Sequence, residues 1–327
     1  MADAMMNFWM SSVAHQMNAI MDAGRVKYNV GNSRLKKQLV VVVMGATGTG
    51  KSKLSINLAA EFPSEIVNSD KMQVYKGLDI ITNKITKDER CGVPHHLLGT
   101  INPTSDFTAE DFRVKATQAV DSISSRGLLP IIVGGSNSFI EALAGDENVA
   151  FQSKYNCCFL WVDVAMPVLH GFVSRRVDQM VRRGLVDEAR AIFDPAADRS
   201  EGIRKSIGIP EFDGYFRSEA FLDEESKTKC IENSVCAMKI NTCKLAIRQV
   251  EKIRRLQNQK RWNIHRIDAT AVFLKSGEEA EEVWETTVAR RTITIVKKAL
   301  YGLSNNVMAA PSPALKAPLR YSVAECV

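Results

Sequence analysis

The sequence predicts an α/β fold in which a doubly wound parallel sheet carries a smaller, mainly helical inserted lobe. The apolar, β-branched run at 39–44 lacks alternation, as expected of a parallel strand that is covered on both faces. Such runs alternate with stretches of helical periodicity and short connections, which is typical of doubly wound sheets. Helical periodicity dominates between the strands predicted at 158–162 and 263–267, and this block is the predicted lobe.

The core is predicted to open with the strand at 39–44, from which a glycine-rich turn leads into a helix over 51–61. A short apolar strand follows at 65–68. Thr108 begins the next helix because it forms a capping box with Asp111, three residues later. The apolar side chains of this helix recur at helical spacing, which predicts one buried face.

Gly127 ends that helix in the position that glycine favours. The remaining strands are predicted at 128–133, 158–162 and 263–267. Within the helical block, Gly184 ends a helix with a valine-rich face, and a longer helix is predicted over 226–258.

The chain is predicted to divide into segments. The basic, acid-poor N-terminal extension 1–38 has the profile of an organelle transit segment, or of a plain flexible terminus. A P-loop core, which carries the glycine-rich turn after the first strand, is predicted to take residues 39–144 and 231–303. The mainly helical insertion, with the substrate-binding lobe, is predicted to take residues 145–230. Residues 304–327 are a predicted flexible tail. The predicted localisation is the plastid (chloroplast), with the cytoplasm as the alternative.

Composition narrows the class of protein. The 327 residues are 45% hydrophobic and 24% charged, which excludes a largely disordered chain. The net charge of +6 fits an anionic ligand such as a nucleotide or a diphosphate, and by itself does not indicate nucleic-acid binding. No apolar run approaches the roughly 20 residues that span a bilayer, so a membrane protein is not expected.

The seven cysteines include no C-x-x-C pair, so we expect neither a disulfide scaffold nor a zinc ribbon, but a reducing compartment. Most are expected to be buried packing thiols, including Cys230, Cys236 and Cys243 at helical spacing. The adjacent His95 and His96 are expected to form a structural turn rather than a metal site.

A phosphate-binding loop is predicted between the first strand and the first helix. The motif G-x-x-x-x-G-K-[ST] is matched in full by Gly45, Ala46, Thr47, Gly48, Thr49, Gly50, Lys51 and Ser52. Its glycines let backbone amides turn towards phosphate oxygens, and the helix dipole adds positive potential. Lys51 supplies a charge, and Ser52 supplies a hydroxyl ligand for Mg²⁺. The predicted fold is therefore P-loop NTPase-like, and the loop is predicted to bind a di- or triphosphate.

The loop alone does not say whose phosphates it binds. A kinase or NTPase uses a second acidic residue at the end of another strand to help hold the metal. The strand at 128–133 ends in Gly134, Gly135 and Ser136, whereas the strand at 158–162 ends in Asp163. A small-molecule kinase or NTPase therefore stays open as an alternative, as does a non-catalytic nucleotide-binding module.

Two basic runs allow two interpretations. The runs comprise Arg175, Arg176, Arg182 and Arg183, and Lys252, Arg254 and Arg255. Such runs are usually solvated helix faces. Alternatively, they line the mouth of the nucleotide pocket and favour ATP or ADP over AMP.

The rest of the chain carries a resemblance to a known family. Ordered sequence blocks lie at 68–80, 82–84, 92–98, 107–112, 133–136, 184–188 and 202–208. Over roughly 39–268, this set resembles the dimethylallyl (isopentenyl) transferases that prenylate N6 of adenine. The sequence of residues 202–211 is similar to that of the plant adenylate isopentenyltransferases of cytokinin biosynthesis, and less similar to that of the tRNA-modifying branch.

The resemblance implies that the loop holds the diphosphate of dimethylallyl diphosphate, and that ATP, ADP or AMP is the acceptor. Asp70 matches the family's catalytic aspartate and is expected to accept the N6 proton; the alternative is a helix N-cap. Lys51, Lys84 and Arg204 are the candidate cations for the leaving diphosphate, together with Mg²⁺ on Ser52. For Arg204 the alternative is a surface salt bridge, and Lys205 beside it is a weaker candidate.

The hydroxyls of Thr82 and Ser136 match family positions that contact the diphosphate. The alternative function is tRNA dimethylallyltransfer, which would add a nucleic-acid partner. Eukaryotic members of that branch typically carry a C-terminal zinc finger, and this chain has no such cysteine–histidine pattern. We therefore expect no nucleic-acid partner and no membrane. A monomer is expected because no apolar heptad is sustained.

Overall fold

The computed structural model describes residues 37–198 and 201–302. Residues 1–36 of the predicted extension and the whole of the predicted tail lie outside the described residues. Within the described ranges, no helix is both long and apolar enough to cross a membrane.

A six-stranded sheet forms the centre of the molecule, with the strand order β3-β2-β4-β1-β5-β6 and every pair parallel. The strands are β1 (Gln38–Gly45), β2 (Ser64–Asn68), β3 (His95–His96), β4 (Leu129–Val133), β5 (Tyr155–Asp163) and β6 (Ile264–Asp268). Because Val40 to Val43 of β1 are fully buried, the unbroken β-branched run is explained by helices on both faces. The predicted fold class and the five predicted strands are confirmed.

Helices cover the sheet and build the block between β5 and β6. They are α1 (Lys51–Glu61), α2 (Ala109–Ser125), α3 (Asn137–Ala144), α4 (Val149–Lys154), α5 (Met166–Arg182), α6 (Leu185–Ala191), α7 (Asp213–Ser218), α8 (Glu224–Asn258), α9 (Thr270–Phe273), α10 (Gly277–Trp284) and α11 (Arg290–Tyr301). The π-helical turn Glu285–Ala289 joins α10 to α11. The predicted segment 145–230 contains β5, which pairs with β1, so that segment is not helical throughout. The division of the chain into segments remains a prediction.

Local chemistry fixes the ends of α2 as predicted. The Thr108 hydroxyl accepts from the Asp111 amide at 3.1 Å, and the Asp111 carboxylate accepts from the Thr108 amide at 2.9 Å. Gly127 follows the helix in the left-handed conformation, with φ of 74°.

The carboxyl ends of β1, β2 and β4 bring three loops together. The Ser69 amide donates to the Val133 carbonyl at 2.7 Å, so the loop after β2 lies on the loop after β4. A Cβ on Gly134 would come within 2.1 Å of the Ser69 carbonyl oxygen, and only glycine allows this approach. The phosphate-binding loop follows β1 beside them, at the edge of the sheet where α/β proteins bind ligands.

Two smaller predictions need correction. Among the described cysteines only Cys158 is fully buried. Cys230 and Cys243 are partly buried and pack against the core as predicted, whereas Cys236 is exposed because the long helix α8 buries only one face. His95 and His96 form the short strand β3 rather than a turn. The His96 ring lies 2.6 Å from the carboxylate of the buried Glu65, so the pair fastens the edge of the sheet.

Candidate active site

A cavity of about 440 Å³ opens between the carboxyl ends of the strands and helices α5 and α8. Of the predicted site residues, it is lined by Thr47, Asp70, Thr82 and Ser136. A volume of this size is ordinary for a small-molecule site. The structure thus brings the phosphate-binding loop and the predicted catalytic aspartate to one cavity.

The phosphate-binding loop turns on glycines in the left-handed conformation, with φ of 85° at Gly48 and 88° at Gly50. The Lys51 ammonium folds back over the loop and donates to the Ala46 carbonyl at 2.6 Å. Burial lowers the pKa of Lys51 to about 8; Asp70 opposes this shift and Arg176 adds to it. Lys51 does not itself line the cavity, but its charge acts on Asp70 and Arg176, which both do.

Ser52, the predicted metal ligand, is exposed at the first turn of α1 and does not line the cavity. Mg²⁺ usually keeps several waters and binds through few protein groups plus substrate phosphates. One exposed hydroxyl beside a diphosphate cradle is compatible with that chemistry.

Asp70 uses its two carboxylate oxygens differently. Its Oδ1 accepts from the Met72 amide at 3.0 Å, which caps the turn that follows β2. Its Oδ2 lies near Gly135, since a Cβ built there would be 3.8 Å away. Asp70 therefore has a capping role, as in the structural alternative, and also lines the cavity.

Three other predicted residues are held by neighbouring groups. The Ser136 hydroxyl accepts from the Lys71 amide at 2.8 Å. The Thr82 hydroxyl donates to the Leu78 carbonyl at 2.6 Å and accepts from Lys84 at 3.0 Å. Lys84 is buried and does not line the cavity, so it acts on the cavity only through its hydrogen bond to the Thr82 hydroxyl.

Arg204, predicted as a catalytic cation, does not reach this cavity. It lines a separate small cavity with Asp213 and Phe216, whereas the adjacent Lys205 lines the main one. Both residues belong to the single 3₁₀ turn Gly202–Lys205, where successive side chains point in different directions.

Arg176 places a cation at this cavity, which Arg204 does not line. Its Nη2 donates to the Thr47 hydroxyl at 2.7 Å, and its buried Nε has no partner among the described residues. Burial lowers the pKa of Arg176 to about 10, while Asp70 opposes the shift. In the sequence, Arg176 stands out only as part of a basic run. Its position three residues after Val173 and four before Met180, both buried in α5, is the signal that distinguishes it.

Gln249 of α8 is a second residue that the sequence analysis missed. Its Oε1 accepts from the Thr47 amide at 2.7 Å, and its Nε2 donates to the Gly135 carbonyl at 3.0 Å. The signal in the sequence is a polar residue in the apolar stripe of α8, between Ala246 and Ile253.

Asp163, the acidic residue at the end of β5 that left the kinase or NTPase alternative open, forms an ion pair with Arg266. Both Nε and Nη2 of Arg266 lie 2.7 Å from the carboxylate of Asp163, at the end of β5. This pairing gives Asp163 a structural role in joining β5 to β6.

Comparisons with known proteins identify the family of the chain. The family model described as IPP transferase matches residues 73–152 and 145–256. Adenylate isopentenyltransferase 5, chloroplastic, of Arabidopsis thaliana is 59% identical over 81% of this chain and 81% of its own length. The mitochondrial adenylate isopentenyltransferase 7 of the same plant is 48% identical over 83% of each chain.

A solved structure of a eukaryotic dimethylallyltransferase acting on tRNA matches with a TM-score of 0.69 and 25% identity, covering 84% of this chain and 82% of the other. The shared fold includes the parallel sheet that carries the phosphate-binding loop. The chain belongs to the IPP transferase family, within its branch of plant adenylate isopentenyltransferases.

Proposed function

We propose that this enzyme transfers the dimethylallyl group from dimethylallyl diphosphate to N6 of the adenine of ATP, ADP or AMP, the first step of cytokinin biosynthesis. The observation that carries the proposal is the lining of one cavity by Thr47 of the phosphate-binding loop and by Asp70. This arrangement offers an anion cradle and a base to the same ligand space.

On the donor side, Lys51 and the loop amides other than that of Thr47, which bonds to Gln249, bind the diphosphate. The Ser136 hydroxyl accepts from the Lys71 amide and keeps its proton for the diphosphate, whereas the Thr82 hydroxyl must first release the Leu78 carbonyl. The allylic C–O bond breaks as the N6–C bond forms, so negative charge develops on the leaving diphosphate. Lys51 and Arg176 stabilise this charge because both are held in place before the reaction. Arg204 is not part of this proposal, because it lies in a different cavity.

On the acceptor side, Asp70 takes the N6 proton and orients the amine. An adenine amine is a weak nucleophile because its lone pair is delocalised into the ring, so a positioned base helps. Since Oδ1 is used in capping the turn, Oδ2 is the oxygen available to the amine.

Ser52 would hold a Mg²⁺ ion together with diphosphate oxygens, and the ion would neutralise charge on the leaving group. The protein's own residues bind and orient both substrates, and Asp70 removes the proton from N6 of the acceptor.

The acceptor's phosphates have three candidate partners at the cavity mouth. Lys205, Arg248 and Lys252 are exposed and line the cavity. These cations favour ATP and ADP over AMP, since each added phosphate adds negative charge. Lys252→Met should therefore raise the KM for ATP about tenfold, an expected loss of about 1.4 kcal/mol, and barely change the KM for AMP. An equal change for both nucleotides would remove Lys252 from phosphate recognition.

A single assay tests the function. Purified protein receives dimethylallyl diphosphate and Mg²⁺ with AMP, ADP, ATP or unmodified tRNA, and prenylated product is measured by mass spectrometry. Prenylated nucleotides support the proposal, whereas product on tRNA alone supports the tRNA-modifying alternative. Release of ADP from ATP without the prenyl donor would indicate a kinase or NTPase.

We also propose that the enzyme acts in the plastid as a monomer. One relative is named chloroplastic and another mitochondrial, so the two organelles are the outcomes to compare. Imaging of the full chain fused to a fluorescent protein would separate them, and light scattering of the purified protein would give its oligomeric state.

A further inference from the structure

We propose that Gln249 is a positioning residue that fixes the phosphate-binding loop relative to Asp70. The inference rests on the proposed function, because it concerns the alignment of the donor with the base. Its evidence is a set of hydrogen bonds that runs from the loop after β1, through α8, to the loop after β2.

Both ends of the Gln249 side-chain amide are occupied. The carbonyl oxygen accepts from Thr47 N–H, and the amide nitrogen donates to the Gly135 carbonyl. The residue is only 7% exposed and sits in an apolar stripe, where an unpaired amide would be costly. The backbone of Gln249 is itself held by α3, because the side chain of Asn137 donates to the Gln249 backbone carbonyl at 3.0 Å.

The Gly134–Ser136 loop passes this restraint on to the segment that carries Asp70. The Ser136 amide donates to the Ser69 carbonyl at 3.1 Å, and the Ser136 hydroxyl accepts from the Lys71 amide at 2.8 Å. Asp70 lies between these two contact points. Donor loop and base are therefore connected through one glutamine and one short loop.

The contact requires glutamine on one side and glycine on the other. A Cβ on Gly135 would come within 2.3 Å of the Gln249 amide nitrogen, so no larger residue fits there without moving the glutamine. Methionine at 249 would fill similar space with neither hydrogen bond. Glutamate would keep the acceptor for Thr47 but would set a carboxylate against the Gly135 carbonyl.

This connection matters because transfer needs N6, the allylic carbon and the leaving diphosphate oxygen in line, with the base within reach of the N6 proton. A misplacement of about 1 Å can cost on the order of 10²-fold in rate. Arg176 also holds Thr47 through its hydroxyl, but among the described residues only Gln249 contacts both Thr47 and Gly135 through its side chain.

The test is a double-mutant cycle between Gln249→Met and Asp70→Asn, read as kcat for prenyl transfer to ATP. We expect Gln249→Met alone to lower kcat about 10- to 100-fold, in line with a loss of alignment. The KM for dimethylallyl diphosphate should change less than kcat does. If Gln249 acts by aligning Asp70, its substitution should cost clearly less in the Asp70→Asn background, because that base is already lost.

A loss in the Asp70→Asn background as large as in the wild-type background would overturn the inference, and so would an unchanged kcat in Gln249→Met. If thermal unfolding shows that the Gln249→Met variant does not fold, Gln249→Glu replaces it in the double-mutant cycle. Gln152→Met is the matched control, because the Gln152 amide also donates to a backbone carbonyl, that of Ala144, but does so on α4, away from the cavity.

The failure of this inference and the failure of the proposed function are distinguishable. Wild-type protein that prenylates no nucleotide refutes the function. If the wild-type protein is active and the fold-losses in kcat of the two single variants multiply to that of the double variant, only the role of Gln249 is refuted.

Discussion

The two halves of the phosphate-binding loop are held by different parts of the chain. Thr47, in the first half, is bonded through its amide to Gln249 of α8 and through its hydroxyl to Arg176 of α5. Gly50, at the end of the loop, instead packs against Trp284 of α10: a Cβ there would lie 2.7 Å from the indole ring. The first half is held by polar groups and the second by an aromatic ring.

The packing around Trp284 is the more conventional of the two. The ring is 3% exposed, and its Nε1 donates to the side chain of Asn57 at 2.8 Å. The Lys53 ammonium lies 5.0 Å from the ring centroid and pairs with Glu281 at 2.6 Å. These contacts fasten the C-terminal helices to α1, and neither Trp284 nor Asn57 lines the active-site cavity.

The contacts of the first half of the loop serve chemistry, and those of the second half serve stability. Arg176 and Gln249 line the cavity that also contains Asp70, so their loss is expected to change turnover. Trp284 acts on the opposite side of the loop, and its loss is expected to change the free energy of unfolding.

Asp70→Asn should give the largest effect on the cavity side. Loss of a general base lowers kcat by about 10²- to 10⁴-fold, while binding of the diphosphate donor is retained. Steady-state kinetics and calorimetric titration of a thiolo analogue of the donor measure the two quantities. Asp146→Asn, outside the cavity, is the control. Near-normal turnover would remove Asp70 from the mechanism.

Among substitutions around the second half of the loop, Trp284→Ala should give the largest loss in the free energy of unfolding. Deleting a buried tryptophan costs about 3–5 kcal/mol in the free energy of unfolding. Denaturant unfolding measures this, and kcat of the folded protein at low temperature should stay within a few-fold of wild type. Trp284→Phe keeps part of the packing but leaves the buried Asn57 side-chain oxygen without its donor, so we expect a smaller loss of about 1–3 kcal/mol. A large fall in kcat with little loss of stability would erase the distinction between the two halves.

Arg176→Met should lower kcat/KM for the donor by about 10²- to 10³-fold, the usual loss when one preorganised donor to a developing anion is removed. Arg175→Met is the matched control, because that neighbour on the same helix is exposed and does not line the cavity. Arg204→Met should also be near wild type. A larger loss for Arg204 than for Arg176 would restore the sequence-based assignment.

The pKa of Lys51 predicts a pH dependence. Because its value in the folded protein is about 8, well below the ordinary value of 10.5, the ammonium loses its proton in moderately alkaline solution. The charged form binds the diphosphate, so kcat/KM for the donor should fall about tenfold per pH unit above pH 8. Lys51→Arg keeps its charge through this range, and its alkaline limb should move to higher pH. An unshifted limb would assign the titration to another group.

Sequence reasoning reached the parts of the molecule whose determinants are local. The strand β1, the helix α1 and the capping box of Thr108 each depend on neighbours along the chain, and all three are confirmed. β3 was missed because two residues are too short for a periodic pattern.

The site was predicted less completely, for a physical reason. Choosing between Arg204 and Lys205 requires the direction of each side chain on a single turn, and a matched sequence block does not contain that information. Gln249 and Thr47 are 202 residues apart in sequence, and Trp284 and Asn57 are 227 apart. Contacts of this kind are decided by packing of distant elements.

The central claim is that the phosphate-binding loop holds the prenyl donor and leaves the nucleotide to the Asp70 side of the cavity. Calorimetric titration of ATP into protein saturated with the thiolo analogue of dimethylallyl diphosphate tests it most directly. We expect ATP to bind to the saturated protein without displacing the analogue, and Lys51→Met to weaken binding of the analogue far more than binding of ATP. Mutual exclusion of ATP and the analogue would instead show that the loop holds the nucleotide's phosphates.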